Sequence, residues 1–170
     1  KGLMVVDVIM AHERILYEKY MDTMKHNSGA SQRCLFPVSV TLNPSDFALV
    51  LGLKEEITSL GFEFEEFGKD TIAINGIPAE AKNINEKDLF EGLLEQFKYN
   101  KSELSLSTQE NMARSIAKRS ASKTKIANDS LELRTLIDRL FACDQPNYTP
   151  SGTPTFIILG LEKIAEFFNQ

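Results

Sequence analysis

Hydrophobic and polar positions recur with strand or helix periods along most of the chain, and changes of period mark its elements. Leu3 to Ile9 is an apolar run of buried-strand length that only Asp7 interrupts. From Met10 to about His26 the period becomes helical. The charged positions of this helix that are expected to face water are Glu13, Arg14, Glu18 and Lys19. A strand that runs directly into a helix places Asp7 at one sheet edge, where open α/β structures usually carry their chemistry.

The middle of the chain predicts a β-α-β-β block. Residues 31–37 form an extended connector, and the alternation from Phe36 to Leu42 predicts a half-buried strand. Asn43 and Pro44 are a cap and a first-turn proline, and they predict a helix that ends at Gly61. Two strands, 61–67 and 71–75, follow this helix and are joined by a hairpin loop.

Helical periods dominate the rest of the sequence. They predict helices from Asn85 to Tyr99, from Ser107 to about Ser122, and from Asn128-Asp129 to about Cys143. A proline-punctuated loop covers 144–154, and it precedes a strand over 155–159 and a helix over 161–168. The predicted fold class is therefore α/β in the broad sense, of the α+β kind.

Composition limits the classes of function. The chain has 170 residues, of which 42% are apolar and 25% charged, as in an ordinary globular protein of one domain or two small subdomains. A net charge of −5 argues against nonspecific DNA binding, which needs a basic face. Cys34 and Cys143 are too few for a disulfide framework and favour reduced, cytosolic thiols. We expect no membrane span or signal peptide and, since the chain starts Lys1-Gly2, a fragment of a longer protein.

The first strand and helix carry a recognisable motif. Asp7, Glu13 and Glu18 have the spacing of the Asp-Gln-His-Ala, two residues, Glu, four residues, Glu pattern, and 11–18 matches its helix closely. This motif resembles that of the C-terminal domain of the MutL family of DNA mismatch-repair proteins. Val8-Ile9-Met10 replaces the Gln-His-Ala of the pattern. Further matches follow in family order along the whole chain: Phe36-Pro37-Val38, Leu60-Gly61-Phe62-Glu63, Glu66-Phe67-Gly68, Ile77-Pro78 and the loop before the last strand.

The resemblance implies a zinc-type endonuclease site in some members of the family, but its ligands are missing here. The Cys and His ligand positions align with Ile9, Lys118, Thr149 and Ser151. Zinc needs thiolate or imidazole ligands, so we expect a degenerate site with no bound metal and no catalytic residue. Glu13 and Glu18 could bind Mg²⁺ through oxygen, although a solvated helix face is the favoured interpretation.

A second motif points to a protein partner. Gln32, Leu35 and Pro37 fit the Gln-x-x-Leu-x-Pro pattern that, in this family, resembles a docking peptide for the replication sliding clamp. An extended segment offers an amide, an aliphatic anchor and a proline that lowers the entropy lost on binding. The alternative, left open by the sequence, is that Leu35 and Phe36 begin the strand and pack inward.

The resemblance implies a two-part domain. Residues 1–34 and 116–170 would form an inner, dimerisation subdomain, and 35–115 an outer, regulatory one. The implied function is DNA mismatch repair: a homodimer that joins N-terminal ATPase arms, which bind ATP and Mg²⁺ outside this fragment, while the fragment itself has no cofactor. Implied partners are the sliding clamp and, through the full-length protein, MutS and DNA, in the cytoplasm near the nucleoid and without a membrane. The competing hypotheses are a metal-dependent nicking endonuclease with unusual ligands and a monomeric clamp adaptor.

Overall fold

The computed structural model describes residues 2–81, 83–125 and 129–168, which form a mixed α+β structure with two small antiparallel sheets. The predicted fold class is confirmed. The strands are β1 (Gly2–Val6), β2 (Ser31–Thr41), β3 (Glu63–Glu66), β4 (Thr71–Pro78) and β5 (Phe156–Gly160). The helices are α1 (Val8–His26), α2 (Pro44–Gly52), α3 (Lys54–Ser59), α4 (Glu86–Glu103), α5 (Thr108–Lys123), α6 (Ser130–Phe141) and α7 (Leu161–Phe168).

The chain divides into two compact units. Unit 1 combines 1–15 with 125–170, and unit 2 is the continuous segment 16–124. The first part of α1, up to residue 15, therefore belongs to unit 1, and the rest of this helix belongs to unit 2. The predicted inner and outer subdomains, with boundaries after residues 34 and 115, stay a prediction.

Unit 2 is built on a three-stranded sheet in the order β2-β4-β3. The central strand β4 pairs antiparallel with β2 on one edge and β3 on the other, and its residues are buried along most of its length. The hairpin between β3 and β4 turns at Gly68 and Asp70, whose φ angles are 84° and 51°. Phe62 and Phe90 meet edge to face with ring centroids 5.5 Å apart in the core of this unit.

Helices α4 and α5 complete unit 2 and are held in register by buried polar groups. Asn111 donates from Nδ2 to the Phe97 carbonyl at 3.0 Å, and Ser115 donates to Asn111 Oδ1 at 3.0 Å. Asn100 donates to the Ser115 hydroxyl at 3.3 Å. Because unpaired buried amides are costly, sliding one helix along the other would break this chain of hydrogen bonds.

Unit 1 has a two-stranded sheet and a small core. Strands β1 and β5 pair antiparallel from Gly2 opposite Gly160 to Val6 opposite Phe156. Val6 and Phe156 pack against a cluster of buried residues from α1 and α6: Ala11, Ile15, Leu136 and Leu140. The Asp129 side chain caps α6 at Leu131 N, and Asn128, also predicted to cap, lies outside the described residues.

Several element boundaries differ from the predictions, and two of the differences have a local cause. The first strand ends at Val6 rather than Ile9, because the Asp7 carboxylate caps a helix that already begins at Val8. The single helix predicted between Asn43 and Gly61 is broken at Leu53, directly after Gly52. Glycine is among the poorest helix formers, which favours a break at this point.

No helix among the described residues is both long and apolar enough to cross a membrane.

Candidate functional site

Unit 1 exposes an apolar surface, here called the β1–β5–α7 face. Its side chains come from the two strands and the last helix, and between 40% and 84% of each is exposed: Leu3, Met4, Val5, Ile157, Ile158, Leu161, Phe167 and Phe168. Met4 lies opposite Ile158, and Val5 lies opposite Ile157 in the strand pairing. The two strands therefore bring residues from opposite ends of the sequence together. Because successive side chains of a strand point to opposite sides of the sheet, exposed apolar side chains lie on both sides of this strand pair.

The β1–β5–α7 face is unusual for a surface that stays in water. A two-stranded sheet is only marginally stable by itself, and it needs packing against other elements. Contiguous apolar patches of this kind usually mark an interaction surface. The aromatic side chains of α7 were not singled out in the sequence, although Leu161, Ile164 and Phe168 have the helical spacing of an amphipathic stripe.

The clamp-docking motif lies on a distorted part of β2. The strand pairs with β4 as far as Arg33 and resumes pairing at Val38, so that residues 34–37 leave the regular ladder. Leu35 is 95% exposed and Phe36 80% exposed. Neither side chain packs inward, contrary to the alternative left open by the sequence. The assignment of Gln32, Leu35 and Pro37 to a clamp site stays a prediction.

Asp7 has a structural role at the start of α1. Its Oδ1 accepts hydrogen bonds from the main-chain nitrogens of Ile9 and Met10, both at 3.0 Å. Its own N–H donates to the Thr155 carbonyl at 2.9 Å, which joins the helix start to the strand β5 region. A side chain that accepts from the first turn of a helix is an N-cap, and the carboxylate is used for this purpose here.

Two charged residues of α1 are placed differently from the prediction. Glu13 and Arg14, which were expected to face water, are only 7% and 5% exposed. Arg14 donates from Nε to the main-chain carbonyl of Tyr148 at 2.6 Å. A charged donor gives this hydrogen bond more strength than a neutral one would. The helical pattern predicted the element correctly, but it could not reveal that Arg14 contacts the loop over 144–154.

The loop aligned with the family's metal-binding segment is closed by hydroxyl groups. Thr149, which is buried, has Oγ1 within 3.0 Å of Ser151 Oγ and accepts a hydrogen bond from Thr153 N at 3.1 Å. The main chain adds a hydrogen bond of 2.8 Å from Thr149 N to the Thr153 carbonyl oxygen. Neutral hydroxyls that are already hydrogen bonded do not fit the thiolate and imidazole ligand set of zinc.

The other residues of the degenerate motif do not supply a replacement. Ile9 has no ligand atom, and Lys118 is a cation on the surface of α5. Among the described residues, no group of three or more His, Cys, Asp and Glu side chains could hold a metal ion. Asp7 and Glu13 lie in unit 1, whereas Glu18 is half-buried in unit 2.

Comparison with known proteins identifies the family. A family model described as the MutL C-terminal dimerisation domain matches residues 1–128, which is more than half of the chain. This chain belongs to the MutL C-terminal dimerisation domain family. The resemblance found in the motifs of the sequence is confirmed.

Relatives named DNA mismatch repair protein MutL match along almost the full length of this MutL-type domain. Those of Chlorobium phaeobacteroides, Pelodictyon phaeoclathratiforme and Chlorobaculum parvum are 34%, 35% and 35% identical over 169 residues, or 99% of the chain. The chain spans only 27% of the length of each of these relatives. The family supports homodimer formation, and it makes the apolar surface of unit 1 the first candidate for the interface.

Proposed function

We propose that this chain is the homodimerisation part of a DNA mismatch-repair protein, and that two copies associate through the β1–β5–α7 face. The observation that carries the proposal is the set of exposed apolar side chains on β1, β5 and α7 of a MutL dimerisation domain. Interfaces of obligate dimers resemble a divided hydrophobic core and bury about 2,000 Å² or more. The half-covered sheet of unit 1 supplies such a surface.

The consequence for the whole protein is a gain in effective concentration. If each copy carries an ATPase arm, permanent association of the C-terminal parts makes closure of the two arms an intramolecular event. In this proposal ATP and Mg²⁺ bind outside the chain described here, and MutS and DNA are contacted by the full-length protein in the cytoplasm. The present chain contributes association and holds no cofactor.

A mass measurement tests the dimer. Light scattering at micromolar concentration should give twice the chain mass of 19.1 kDa. Ile158→Glu places one charge on the face, at a side chain that is 68% exposed, and it should give monomers because an unpaired charge is costly in an apolar interface. Phe67→Glu is the matched control, because Phe67 is 62% exposed in unit 2 and lies outside the face. A wild-type mass near 19.1 kDa contradicts the proposal.

Clamp docking is a second function that a specific observation favours. Leu35 and Phe36 are almost entirely exposed at the irregular part of β2, although both are large apolar side chains. We propose that Gln32, Leu35 and Pro37 present this segment to the sliding clamp. An exposed aliphatic anchor next to a proline is the arrangement that groove-binding peptides use.

Nicking activity is not favoured for this chain. The hydroxyl groups of Thr149 and Ser151 hydrogen bond within their own loop, and Asp7 caps α1. Calorimetric titration with Zn²⁺ and with Mn²⁺ tests this part. Stoichiometric metal uptake with micromolar affinity would contradict the degenerate site, and its absence is the expected result.

A further inference from the structure

A groove between α4 and α5 in unit 2 is not used by any of the functions above. It encloses about 480 Å³, within the range of small-molecule sites. One wall is a stripe of α4 and the other a stripe of α5. The side chains that the argument uses are Glu95, Tyr99, Lys118 and Arg119.

The Arg119 side chain lies close against α4 at position 92, where glycine leaves room for it. A Cβ atom at Gly92 would lie 2.1 Å from Arg119 Nε and 2.6 Å from Cζ, so only glycine admits the guanidinium here. The same Nε donates a long hydrogen bond of 3.3 Å to the Asp88 carbonyl, which favours this orientation of the group. No carboxylate among the described residues lies within 4.0 Å of its nitrogens in an ion pair. The two terminal nitrogens of a guanidinium suit the oxygens of a phosphate group.

Two further side chains in the groove, Lys118 and Tyr99, add a second cation and an aromatic ring to Arg119. Lys118 is exposed on the same wall and likewise makes no ion pair within the described part of the chain. Tyr99 is 61% exposed on the opposite wall, which leaves its ring accessible. Cations beside an accessible aromatic ring are the combination that binds the phosphate and the base of a nucleotide, since every base can stack on a ring.

We propose that the α4–α5 groove binds a nucleotide unit, with the phosphate on Lys118 and Arg119 and the base against Tyr99. Glu95 lines the same groove and opposes an anion, so the two cations leave a formal charge of only +1. Binding should therefore be weak and strongly dependent on salt. The unit is either a free nucleotide or one residue of a single strand, and both present the same phosphate and base.

The test measures binding of a fluorescein-labelled ten-residue oligothymidylate and of AMP to the chain at low salt. Lys118→Gln should weaken binding about three- to tenfold, and Tyr99→Ala about tenfold. Glu95→Gln should tighten binding about two- to threefold, because it removes the opposing charge. A merely structural role for these residues predicts no increase in affinity for any variant.

Two control variants distinguish binding in the groove from nonspecific binding to surface charge or to exposed aromatic rings. Lys69→Gln makes the same change of charge on the β3–β4 hairpin, and Phe67→Ala removes a ring that is 62% exposed, close to the value for Tyr99. Both should bind like the wild type. Thermal unfolding of each variant checks that the fold is intact. Positions 69, 99 and 118 are exposed, whereas a substitution of Arg119, which packs against α4, could also disturb the packing of the two helices.

The two probes distinguish the source of the ligand. Saturable binding of AMP that is lost in Tyr99→Ala assigns the groove to free nucleotides, whereas binding of the oligonucleotide alone assigns it to single strands. No binding of either probe at millimolar concentration overturns the proposal, and so does binding that Lys118→Gln and Lys69→Gln weaken equally. The result is independent of the dimer, whose failure would appear in the mass and not in these titrations.

Discussion

Arg14 on α1 donates a hydrogen bond of 2.6 Å to the main-chain carbonyl of Tyr148, which lies 134 residues further along the chain. The contact joins the first helix to the loop that precedes β5, and both partners belong to unit 1. Because Arg14 is 5% exposed, its guanidinium has little water to replace a lost partner. The contact therefore anchors the loop over 144–154 to α1, and Arg14 is not part of a solvated helix face.

Arg14→Met keeps most of the volume of the side chain and removes the donor. We expect the free energy of unfolding to fall by about 1.5–3 kcal/mol, as is usual when a hydrogen bond from a charged group is lost. Urea unfolding followed by circular dichroism measures the change. Arg134→Met, on the exposed side of α6, is the control and should stay within about 0.5 kcal/mol of the wild type. Equal effects for the two variants would show that the contact with Tyr148 carries no stability.

Gly61 and Gly52 should respond to alanine in opposite directions. Gly61 has a φ of +106°, and a Cβ atom there would lie 2.5 Å from the Ala30 carbonyl oxygen, so Gly61→Ala should destabilise the fold by about 1–3 kcal/mol. Gly52 is at the end of α2, and nothing lies within 4 Å of the place that an alanine methyl group would take. Gly52→Ala should therefore stabilise the fold by about 0.4–1 kcal/mol. Thermal unfolding of both variants decides, and a stable Gly61→Ala protein would contradict the expected strain.

Tyr20 should make stability depend on pH in the alkaline range. Burial raises the pKa of this phenol, the Ser120 hydroxyl lowers it by a smaller amount, and the charge of Glu80 raises it further. A raised pKa means that the stability is complete below the ordinary tyrosine pKa, about 10. Above that pH the unfolded chain loses the proton while the folded chain keeps it, so stability falls by up to about 1.4 kcal/mol per pH unit.

The substitution Tyr20→Phe removes this dependence. The difference in unfolding free energy between wild type and variant should be constant from pH 7 to about 9, and it should then shift in favour of the variant as the pH rises. Urea unfolding at a series of pH values measures the difference. Tyr99→Phe, at a ring that is 61% exposed, is the control for loss of a tyrosine hydroxyl. A constant difference for Tyr20→Phe up to about pH 11 would refute the prediction.

The clamp-docking proposal predicts lost binding without lost stability. Leu35 is 95% exposed, so the double substitution Gln32→Ala with Leu35→Ala should leave the melting temperature within about 1 °C. Loss of the Leu35 anchor should weaken binding to purified sliding clamp roughly ten- to a hundredfold. Leu131→Ala, at a leucine that is 69% exposed on α6, is the control for exposed aliphatic surface. Unchanged clamp binding in the double variant would exclude the docking role.

The sequence predicted the positions of the helices and strands better than the burial of their side chains. Alternation and capping residues located the strands and helices, including the Asn43, Asn85 and Ser107 caps, because these signals act within a few residues. The burial of Glu13 and Arg14 was missed, and for Arg14 the reason is that its partner Tyr148 is distant in sequence. Local periodicity contains no information about such a contact.

For the candidate sites as well, local sequence predicted the motifs but not the contacts that their residues make. The motif spacing of Asp7, Glu13 and Glu18 pointed to the family, but the capping role of Asp7 and the hydroxyl contacts of Thr149 are visible only in the folded structure. For the clamp motif, the sequence left open whether Leu35 and Phe36 point inward, because a bulge can reverse the side to which a residue points. The position of the Arg119 guanidinium depends on Gly92, which lies on a different helix.

The arrangement of unit 1 has a consequence for biosynthesis. Unit 2 is one continuous segment, so it is complete on the ribosome once residue 124 has emerged. Unit 1 must wait, because β1 pairs with β5 and Gly2 lies opposite Gly160. At about 5–20 residues per second, β1 remains without its partner strand for roughly 8–30 s after it is made. During translation the proposed dimer surface is thus incomplete until β5 has emerged, and through this surface nascent chains on one messenger cannot associate before then.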